Sequence, residues 1–245
     1  MKRSLICLSF FMAFSAFVKA DTGNQWSYEG LAGPEHWGEL GQEYHMCHDG
    51  KFQSPIDIKN VINGELPPLK IEFHKSAESI VNNGHTIQVD VNDEDDFIID
   101  GEVFNLKQYH FHAPGENLIN GKSFPLEAHF VHANDKGELA VVGVMYEVGE
   151  ENPAIETLIK KMPGKTNDKI SLVERVDLSA LFPIDHHYYR FSGSLTTPPC
   201  SEGLRWFIMK QPVQISQSQL KVIQDALKGS NNRPVQPLNG RVIVQ

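Results

Sequence analysis

The stretch Gln108-Tyr109-His110-Phe111-His112 alternates polar and aromatic residues, and this alternation decides how the centre of the chain folds. Such a pattern is typical of a β-strand, in which residues two apart share a face. His110 and His112 therefore project together on one face, while Tyr109 and Phe111 project on the other. The stretch predicts a strand that presents two imidazoles to one point.

A second strand-like stretch follows, Pro125-Leu126-Glu127-Ala128-His129-Phe130-Val131-His132. If it pairs beside the first, His129 joins the two imidazoles already facing one point. Three neutral imidazoles suit Zn²⁺ and leave the fourth tetrahedral position open to water, as in catalytic rather than structural zinc sites. We therefore predict a zinc site made by His110, His112 and His129. Histidines hydrogen-bonded in a core are the alternative.

Two polar residues accompany the predicted ligands on their own strands. Gln108 lies two residues before His110, and Glu127 lies two residues before His129. Metal-bound imidazoles usually donate their second N–H to an acceptor that fixes the ring. We expect Gln108 and Glu127 to be those acceptors. His132 lies on the opposite face from His129 and is assigned a structural role.

The remaining pattern favours a sheet over helices. Period-two alternation with β-branched and aromatic residues predicts strands at residues 80–81, 86–91, 97–99, 106–111, 126–131, 139–148, 188–191 and 204–210. Helical periodicity is confined to residues 153–161, with Pro153 at the first position, and 216–227, with Ser216 as the cap. The expected fold class is β-dominated α+β, with a large, mostly antiparallel central sheet and a few peripheral helices.

The N-terminus has the features of a secretory signal peptide. Lys2 and Arg3 precede an apolar run over residues 5–18, which ends in small residues at Ala20. A membrane anchor is the weaker alternative because the run is shorter than the roughly 20 apolar residues that span a bilayer. We expect residues 1–20 to be removed, and residues 21–245 to form one periplasmic or secreted domain, with no membrane association after cleavage.

Charge and cysteine content limit the partners and the disulfide bonds that we expect. The formal net charge is −9 and becomes more negative without the basic leader, so nucleic acid is excluded as an expected partner. Of three cysteines, Cys7 lies in the leader, and export leaves Cys47 and Cys200 in an oxidising compartment. We expect these two to form a disulfide. Two free thiols are the alternative.

Several motifs, in this order along the chain, resemble one family closely, the α-carbonic anhydrases, and within it the periplasmic bacterial branch. Besides the two histidine strands, the motifs are Gly33-Pro34-Glu35-His36-Trp37, Gln53-Ser54-Pro55-Ile56-Asp57, Asn82-Asn83-Gly84-His85, Gly193-Ser194-Leu195-Thr196-Thr197-Pro198-Pro199-Cys200 and Asn232-Arg233-Pro234-Val235-Gln236-Pro237-Leu238. The resemblance spans nearly all of residues 21–245. It implies zinc at the bottom of a conical cleft in a twisted sheet.

The resemblance also implies an activity, the reversible hydration of carbon dioxide to bicarbonate and a proton. Zinc-bound hydroxide would attack carbon dioxide, with the three histidines named above as the metal ligands. Thr196 resembles the residue that accepts the proton of that hydroxide while donating to Glu116. A threonine hydroxyl that donates its own proton to Glu116 can only accept a hydrogen bond from the hydroxide. The hydroxide is then oriented with its lone pair toward the substrate.

Further residues take family roles by the same resemblance. The substrate pocket would be lined by Val131, Val141, Leu195, Thr197 and Trp206. His85 resembles a proton shuttle, since histidine titrates near neutral pH, and Tyr28 resembles a residue that orders the water chain. The family also implies a cis bond before Pro199, which only an X-Pro bond tolerates readily.

The sequence departs from many animal members at two positions, Ala113 and Asn117, and both departures are familiar in bacterial relatives. A homodimer is one assembly that the resemblance allows. Two other functions compete with this reading. A cupin-type metal dioxygenase would use Glu116 as an iron ligand after His110 and His112. A periplasmic zinc carrier or a catalytically silent binding domain would bind without turnover.

Overall fold

The computed structural model describes residues 26–74, 77–91 and 97–245. The expected signal peptide, residues 1–20, and its cleavage point lie outside the described residues. Among the helices of the described part, none is long and apolar enough to cross a membrane.

Strands dominate the described residues. They are β1 Asp57–Ile58, β2 Ala77–Asn82, β3 Ile87–Val91, β4 Phe97–Ile99, β5 Glu102–His112, β6 Leu118–Ile119, β7 Leu126–Ala133, β8 Leu139–Val148, β9 Lys169–Ser171, β10 Tyr188–Ser194, β11 Glu202–Met209 and β12 Val213–Ile215. The α-helices are α1 Trp37–Leu40, α2 Met46–Asp49, α3 Pro153–Ile159 and α4 Gln217–Leu227. Short 3₁₀ turns lie at Gly30–Ala32, Gln42–Tyr44 and Leu178–Leu181.

Ten of these strands form one sheet in the order β10-β11-β8-β7-β5-β3-β2-β9, with β12 beside β8 and β4 beside β5. Its pairs are antiparallel except where β8 meets β11 and β12, so the sheet is mixed but mostly antiparallel. The predicted β-dominated α+β class is confirmed. Every predicted strand is present, whereas the short β1, β6, β9 and β12 were not predicted.

The two faces of the sheet carry different cores. One face buries the side chains of Tyr109, Phe111 and Phe130, together with apolar residues of α3 and α4. The opposite face carries a smaller apolar cluster around Val141 and Trp206. The prediction that Tyr109 and Phe111 turn away from the histidines is confirmed.

Both predicted helices are present and are capped by side chains. Asn152 accepts from the N–H groups of Ala154 and Ile155 at 3.0 and 3.1 Å, with Pro153 at the first position of α3. Ser216 and Gln219 form a capping box at the start of α4. Helix α3 ends at residue 159, two residues before the predicted end at residue 161.

A disulfide joins Cys47 to Cys200, as predicted. The bond spans 153 positions of sequence, and a cross-link of that size stabilises by about 5 kcal/mol in the chain-entropy account. The predicted cis peptide between Pro198 and Pro199 is also present, and two more precede Pro55 and Pro114.

His132 is buried on the helix-covered face, as expected for a structural histidine. Its Nδ1–H donates to the Phe130 carbonyl at 2.9 Å, and its ring lies 4.8 Å from that of Phe97. Burial lowers the pKa of His132 to about 4, although the Phe130 and Ala140 carbonyls partly oppose the shift. The folded protein therefore holds this ring neutral at pH values where an unfolded chain would protonate it.

We expect His132→Asn to flatten the acid side of the stability profile. The unfolded chain takes up this proton near pH 6.5, whereas the folded chain does so only near pH 4, so falling pH destabilises the wild type across that window. Urea unfolding from pH 7.5 to 4 should show the variant losing about 3 kcal/mol less than the wild type. Parallel profiles would contradict this assignment.

Candidate metal centre

Three histidines meet on the sheet face opposite the helices. Antiparallel pairing of β5 with β7 sets His110 directly opposite His129, and His112 opposite Glu127. One ring nitrogen from each of the three histidines lies within 4.8 Å of the others. His112 and His129 are 1% exposed, whereas His110 is partly open to the cleft. The structure thus brings together the three predicted ligands.

Each ring donates one N–H to an acceptor, which fixes its tautomer. His110 Nδ1 donates to Gln108 Oε1 at 2.8 Å, and His129 Nε2 donates to Glu127 Oε1 at 2.8 Å. His112 Nδ1 donates to the Asn231 carbonyl at 2.7 Å. The nitrogens left with lone pairs are Nε2 of His110, Nε2 of His112 and Nδ1 of His129. Gln108 and Glu127 lie where the sequence predicted them.

The surroundings of His110 and His112 also favour neutral rings. Burial lowers the pKa of His110 well below its ordinary value, and the neighbouring His112 and His129 add to the effect. Burial likewise lowers the pKa of His112, against the opposing Asn231 hydrogen bond and Glu127 charge. A neutral imidazole is the form that binds a metal. His112 Nε2 is a buried nitrogen with no hydrogen-bond partner among the described residues, as expected of a ligand atom.

Glu127 is a fully buried carboxylate that accepts four hydrogen bonds. Besides His129, it receives the N–H groups of Glu116 and Asn117 at 2.7 and 2.9 Å and the Asn117 side-chain amide at 2.8 Å. Burial alone would raise the pKa of Glu127, but His129 and these donors bring it below the ordinary value. Asn117, one of the two positions at which the sequence differs from many animal family members, therefore donates to Glu127 through both its main-chain N–H and its side-chain amide.

Close packing beneath the site requires a glycine on the next strand. Gly143 of β8 pairs with His129. A Cβ at this position would lie 2.5 Å from Ile208 Cδ1 and 3.1 Å from Glu127 Oε1. Cβ atoms essentially never approach another atom to 2.5 Å, so a larger residue here would displace the end of the Ile208 side chain and press on the carboxylate that holds His129.

Glu116 is the second buried carboxylate of the cleft floor. Its Oε1 accepts the Arg233 N–H at 2.8 Å, and its Oε2 is buried without a hydrogen-bond partner among the described residues, 3.8 Å from His129 Nδ1. Burial raises the pKa of Glu116 to about 7, against the opposing effects of His129, the Arg233 N–H and the Thr196 hydroxyl. Thr196 thus acts on this carboxylate, although no hydrogen bond joins it to Oε2.

Apolar side chains flank the histidines on the same face. Val131, Val141, Leu195 and Trp206 belong to one apolar cluster, and the Trp206 ring lies 4.9 Å from that of His129. A cavity of about 140 Å³ opens at the histidines, and its lining does not include these four apolar residues. It is lined by six residues predicted for the site, namely Tyr28, His85, Gln108, His110, His112 and Thr197.

The cavity also brings together two residues predicted for proton transfer. The His85 ring stacks on Trp26 with centroids 3.7 Å apart, and Tyr28 packs edge-on against Trp26 at 5.4 Å. Burial lowers the pKa of His85. Burial raises the pKa of Tyr28 well above its ordinary value, and the charge of Glu116 adds to this.

Sequence reasoning missed Asn231 and Trp26. The Asn231 side chain accepts from the Ala113 N–H at 2.8 Å and donates to the carbonyls of Phe111 and His85 at 2.9 and 3.1 Å. It directly precedes the quoted motif over residues 232–238, and that position was the available signal. Trp26 belongs to no regular element, and its stacking partner is distant in sequence.

The fold and the site together define a mixed-sheet protein with a three-histidine centre suited to a divalent metal. Residues 32–245 match the sequence model of the eukaryotic-type carbonic anhydrase family. The chain belongs to this family, the α-carbonic anhydrases. The cupin alternative is therefore wrong.

Relatives match over nearly their whole length. A carbonic anhydrase of Klebsiella pneumoniae is 46% identical over 246 residues, covering 100% of this chain and 98% of that protein. One of Pectobacterium carotovorum is 44% identical over 239 residues, covering 98% and 97%. A solved α-carbonic anhydrase of Thermovibrio ammonificans with the inhibitor sulfanilamide is 48% identical, with a TM-score of 0.89 over 91% of this chain and 100% of that one.

We expect Glu127→Gln to weaken zinc binding by about 10- to 100-fold, the usual effect of losing an outer partner of a metal ligand. An amide cannot accept all four hydrogen bonds and turns an NH₂ toward donors. Competition with a chromogenic chelator measures the change. Glu147→Gln on the outer end of β8, near Lys122, is the matched control and should bind zinc as the wild type does. Equal affinities in the two variants would refute the role of Glu127.

Proposed function

We propose that this chain catalyses the reversible hydration of carbon dioxide to bicarbonate and a proton, with Zn²⁺ held by His110, His112 and His129. The observation that carries the proposal is the convergence of three imidazole nitrogens beside an apolar cluster and a buried Thr196 and Glu116 pair. Membership of the carbonic anhydrase family supports it.

The donor set fits zinc. Three imidazole nitrogens with one open position are a known catalytic zinc arrangement, and the unpaired His112 Nε2 agrees with a ligand role. When bound, Zn²⁺ acts as a Lewis acid that lowers the pKa of its water to about 7, an effect for which carbonic anhydrases are themselves the reference case. The remaining steps depend on the residues of this chain.

Glu116 and Thr196 would orient the nucleophile. The Arg233 N–H holds one oxygen of Glu116, which leaves Oε2 as the acceptor available to a hydroxyl. A Thr196 hydroxyl that donates to Glu116 can only accept from a hydroxyl in the cleft. The nucleophile's lone pair is then aimed away from Thr196 and toward the substrate, and orientation of this kind lowers the barrier.

Substrate binding would depend on the apolar side of the cleft. Carbon dioxide is uncharged and apolar, so charged groups cannot bind it strongly. An apolar wall lies beside His129 and consists of Val131, Val141, Leu195 and Trp206. Thr197 lines the cavity at His110 and His112 and would be the polar member of the substrate pocket. Such a wall favours an apolar substrate over water near the reacting centre.

Proton removal would pass through His85, with Tyr28 helping to order water. A group of pKa about 7 that is reprotonated at a diffusion-limited rate of about 10¹⁰ M⁻¹s⁻¹ loses its proton to water only about 10³ times per second. Faster turnover needs a relay. His85 is half-buried in the same cavity as His110, and its lowered pKa keeps it ready to accept a proton at neutral pH.

We further propose that residues 1–20 are cleaved and that residues 21–245 act as one domain in the periplasm or outside the cell. The apolar leader and the disulfide between Cys47 and Cys200 support export into an oxidising compartment. A homodimer is part of the proposal by analogy with bacterial family members. Gel filtration with light scattering tests the oligomeric state.

Stopped-flow carbon dioxide hydration with a pH indicator tests the main proposal on residues 21–245. Activity should require zinc, disappear on chelation and be absent in His129→Ala, because that variant lacks one ligand. Tyr189→Phe on β10, which is not among the residues that line the histidine cavity, is a folding control and should retain activity. Folded, zinc-loaded protein without activity would contradict the enzyme proposal and favour a zinc carrier or a catalytically silent binding domain.

We expect His85→Ala to lower kcat by about tenfold or more while leaving kcat/KM nearly unchanged, because only proton transfer is impaired. Added imidazole buffer should restore much of the loss. In the wild type, kcat should fall as pH drops through the lowered pKa of His85, since the protonated ring cannot accept. An unchanged kcat in dilute buffer would rule out this relay.

A further inference from the structure

Arg233 is a buried arginine with an unusual set of partners. It is 2% exposed, and its guanidinium donates only to neutral acceptors. Nη1 donates to Gln53 Oε1 and to the Ser54 carbonyl, both at 2.8 Å, and Nη2 donates to the Cys47 carbonyl at 2.8 Å. Burying a cation is costly unless it is hydrogen-bonded and compensated. The carboxylate that compensates it electrostatically is Glu116.

The partners of this guanidinium connect it to the loop that carries Thr196. Gln53 Nε2 donates to the Cys200 carbonyl at 3.0 Å, and Cys200 is bonded to Cys47. The loop over residues 195–201 is closed by two main-chain hydrogen bonds, from Leu195 N to Ser201 O and from Cys200 N to Thr197 O. The guanidinium is therefore linked to both ends of the disulfide, directly at Cys47 and through Gln53 at Cys200.

The main chain of the same residue holds the other member of the pair, because the Arg233 N–H donates to Glu116 Oε1. We propose that Arg233, together with Gln53, is a positioning residue that fixes the Thr196 loop relative to Glu116. Its side chain holds the loop and its peptide nitrogen holds the carboxylate. The inference rests on the proposed function of Thr196 and Glu116.

Lysine should not replace this arginine. A guanidinium is a planar fork that can donate in several fixed directions at once, whereas an ammonium is a point donor on a flexible stem. Arg233→Lys keeps the charge and the peptide N–H but loses the simultaneous contacts to Gln53, Ser54 and Cys47. The variant therefore tests the fork geometry and leaves the cation in place.

Arg241 offers a matched control. Its guanidinium also donates to several carbonyls, among them Gln53 at 2.7 Å and Ser192 at 3.0 Å. Its contact to Gln53 is with the main-chain carbonyl, and no hydrogen bond found among the described residues joins Arg241 to the Gln53 side chain, to Glu116 or to the loop over residues 195–201. Arg241→Lys should therefore lower stability without moving the Thr196 and Glu116 pair.

The experiment measures carbon dioxide hydration by zinc-loaded residues 21–245 in wild-type and Glu116→Gln backgrounds. We expect Arg233→Lys to lower kcat about tenfold, with KM changed less than twofold, because a misplaced orienting pair impairs turnover more than binding. Arg241→Lys should stay within twofold of the wild type. In the Glu116→Gln background, Arg233→Lys should add less than a twofold loss, since both changes act through one group.

Two further readouts keep the inference falsifiable. The amide of residue 233 should exchange with solvent at least tenfold faster in Arg233→Lys than in the wild type, because its contact to Glu116 loosens. If Arg233→Lys does not fold, Gln53→Met removes the side-chain contacts of Gln53 to Arg233, Cys200 and Glu202, leaves Arg233 itself in place, and should show the same dependence on Glu116. Zinc content and the urea midpoint are measured for every variant.

The outcomes separate this inference from the proposed function. A full tenfold loss that persists in the Glu116→Gln background, or an equal loss in Arg241→Lys, would overturn the positioning role and indicate general destabilisation. Wild-type activity in Glu116→Gln alone would instead overturn the proposed function of Glu116. The expected result is a large loss of kcat in Glu116→Gln, with less than a twofold further loss when Arg233→Lys is added.

Discussion

The antiparallel register that sets His110 opposite His129 is the constraint on which the rest of the site depends. Side chains alternate along a strand, so a slip of one residue would turn the His129 ring to the opposite face of the sheet. The strand that carries His129 is held on both sides, because β7 pairs with β5 and with β8 along nearly its whole length. The positions of the three rings are therefore properties of the sheet and not of a mobile loop.

A second requirement follows, because a site placed on a sheet must satisfy every polar group that it buries. Glu127 meets this requirement because the chain that follows β5 folds back over β7. The N–H groups of Glu116 and Asn117 in this segment both donate to the Glu127 carboxylate. The same fold of the chain places Glu116 beside the histidines. One buried carboxylate thus sets the position of the other, and Gly143 leaves room for Glu127.

The parts of this arrangement that could be predicted from sequence are those with a local pattern. Alternation along β5 and β7 encodes which faces carry His110, His112 and His129, and the Ser216 cap could be predicted because capping acts over three residues. The Asn152 cap of α3 has the same kind of local signal but was not predicted. Asn231 holds His112 across 119 positions of sequence, and no local periodicity encodes such a contact. β1, β6, β9 and β12 span two or three residues, too few to show a period, and form only because a neighbouring strand pairs with them.

The charges beneath the cleft bear on which ion the site can hold. Glu116 and Glu127 are both buried, and the Glu116 N–H donates to Glu127, yet His129 and the donors on Glu127 keep its pKa low while burial raises that of Glu116 to about 7. Arg233 is a cation whose charge acts on Glu116. With both carboxylates ionised, their two negative charges exceed the single guanidinium charge, and a divalent cation among the rings would offset the difference. Such a cation would also lower the pKa of Glu116 and keep it an acceptor for Thr196, so the metal and the orienting pair stabilise the same ionisation state.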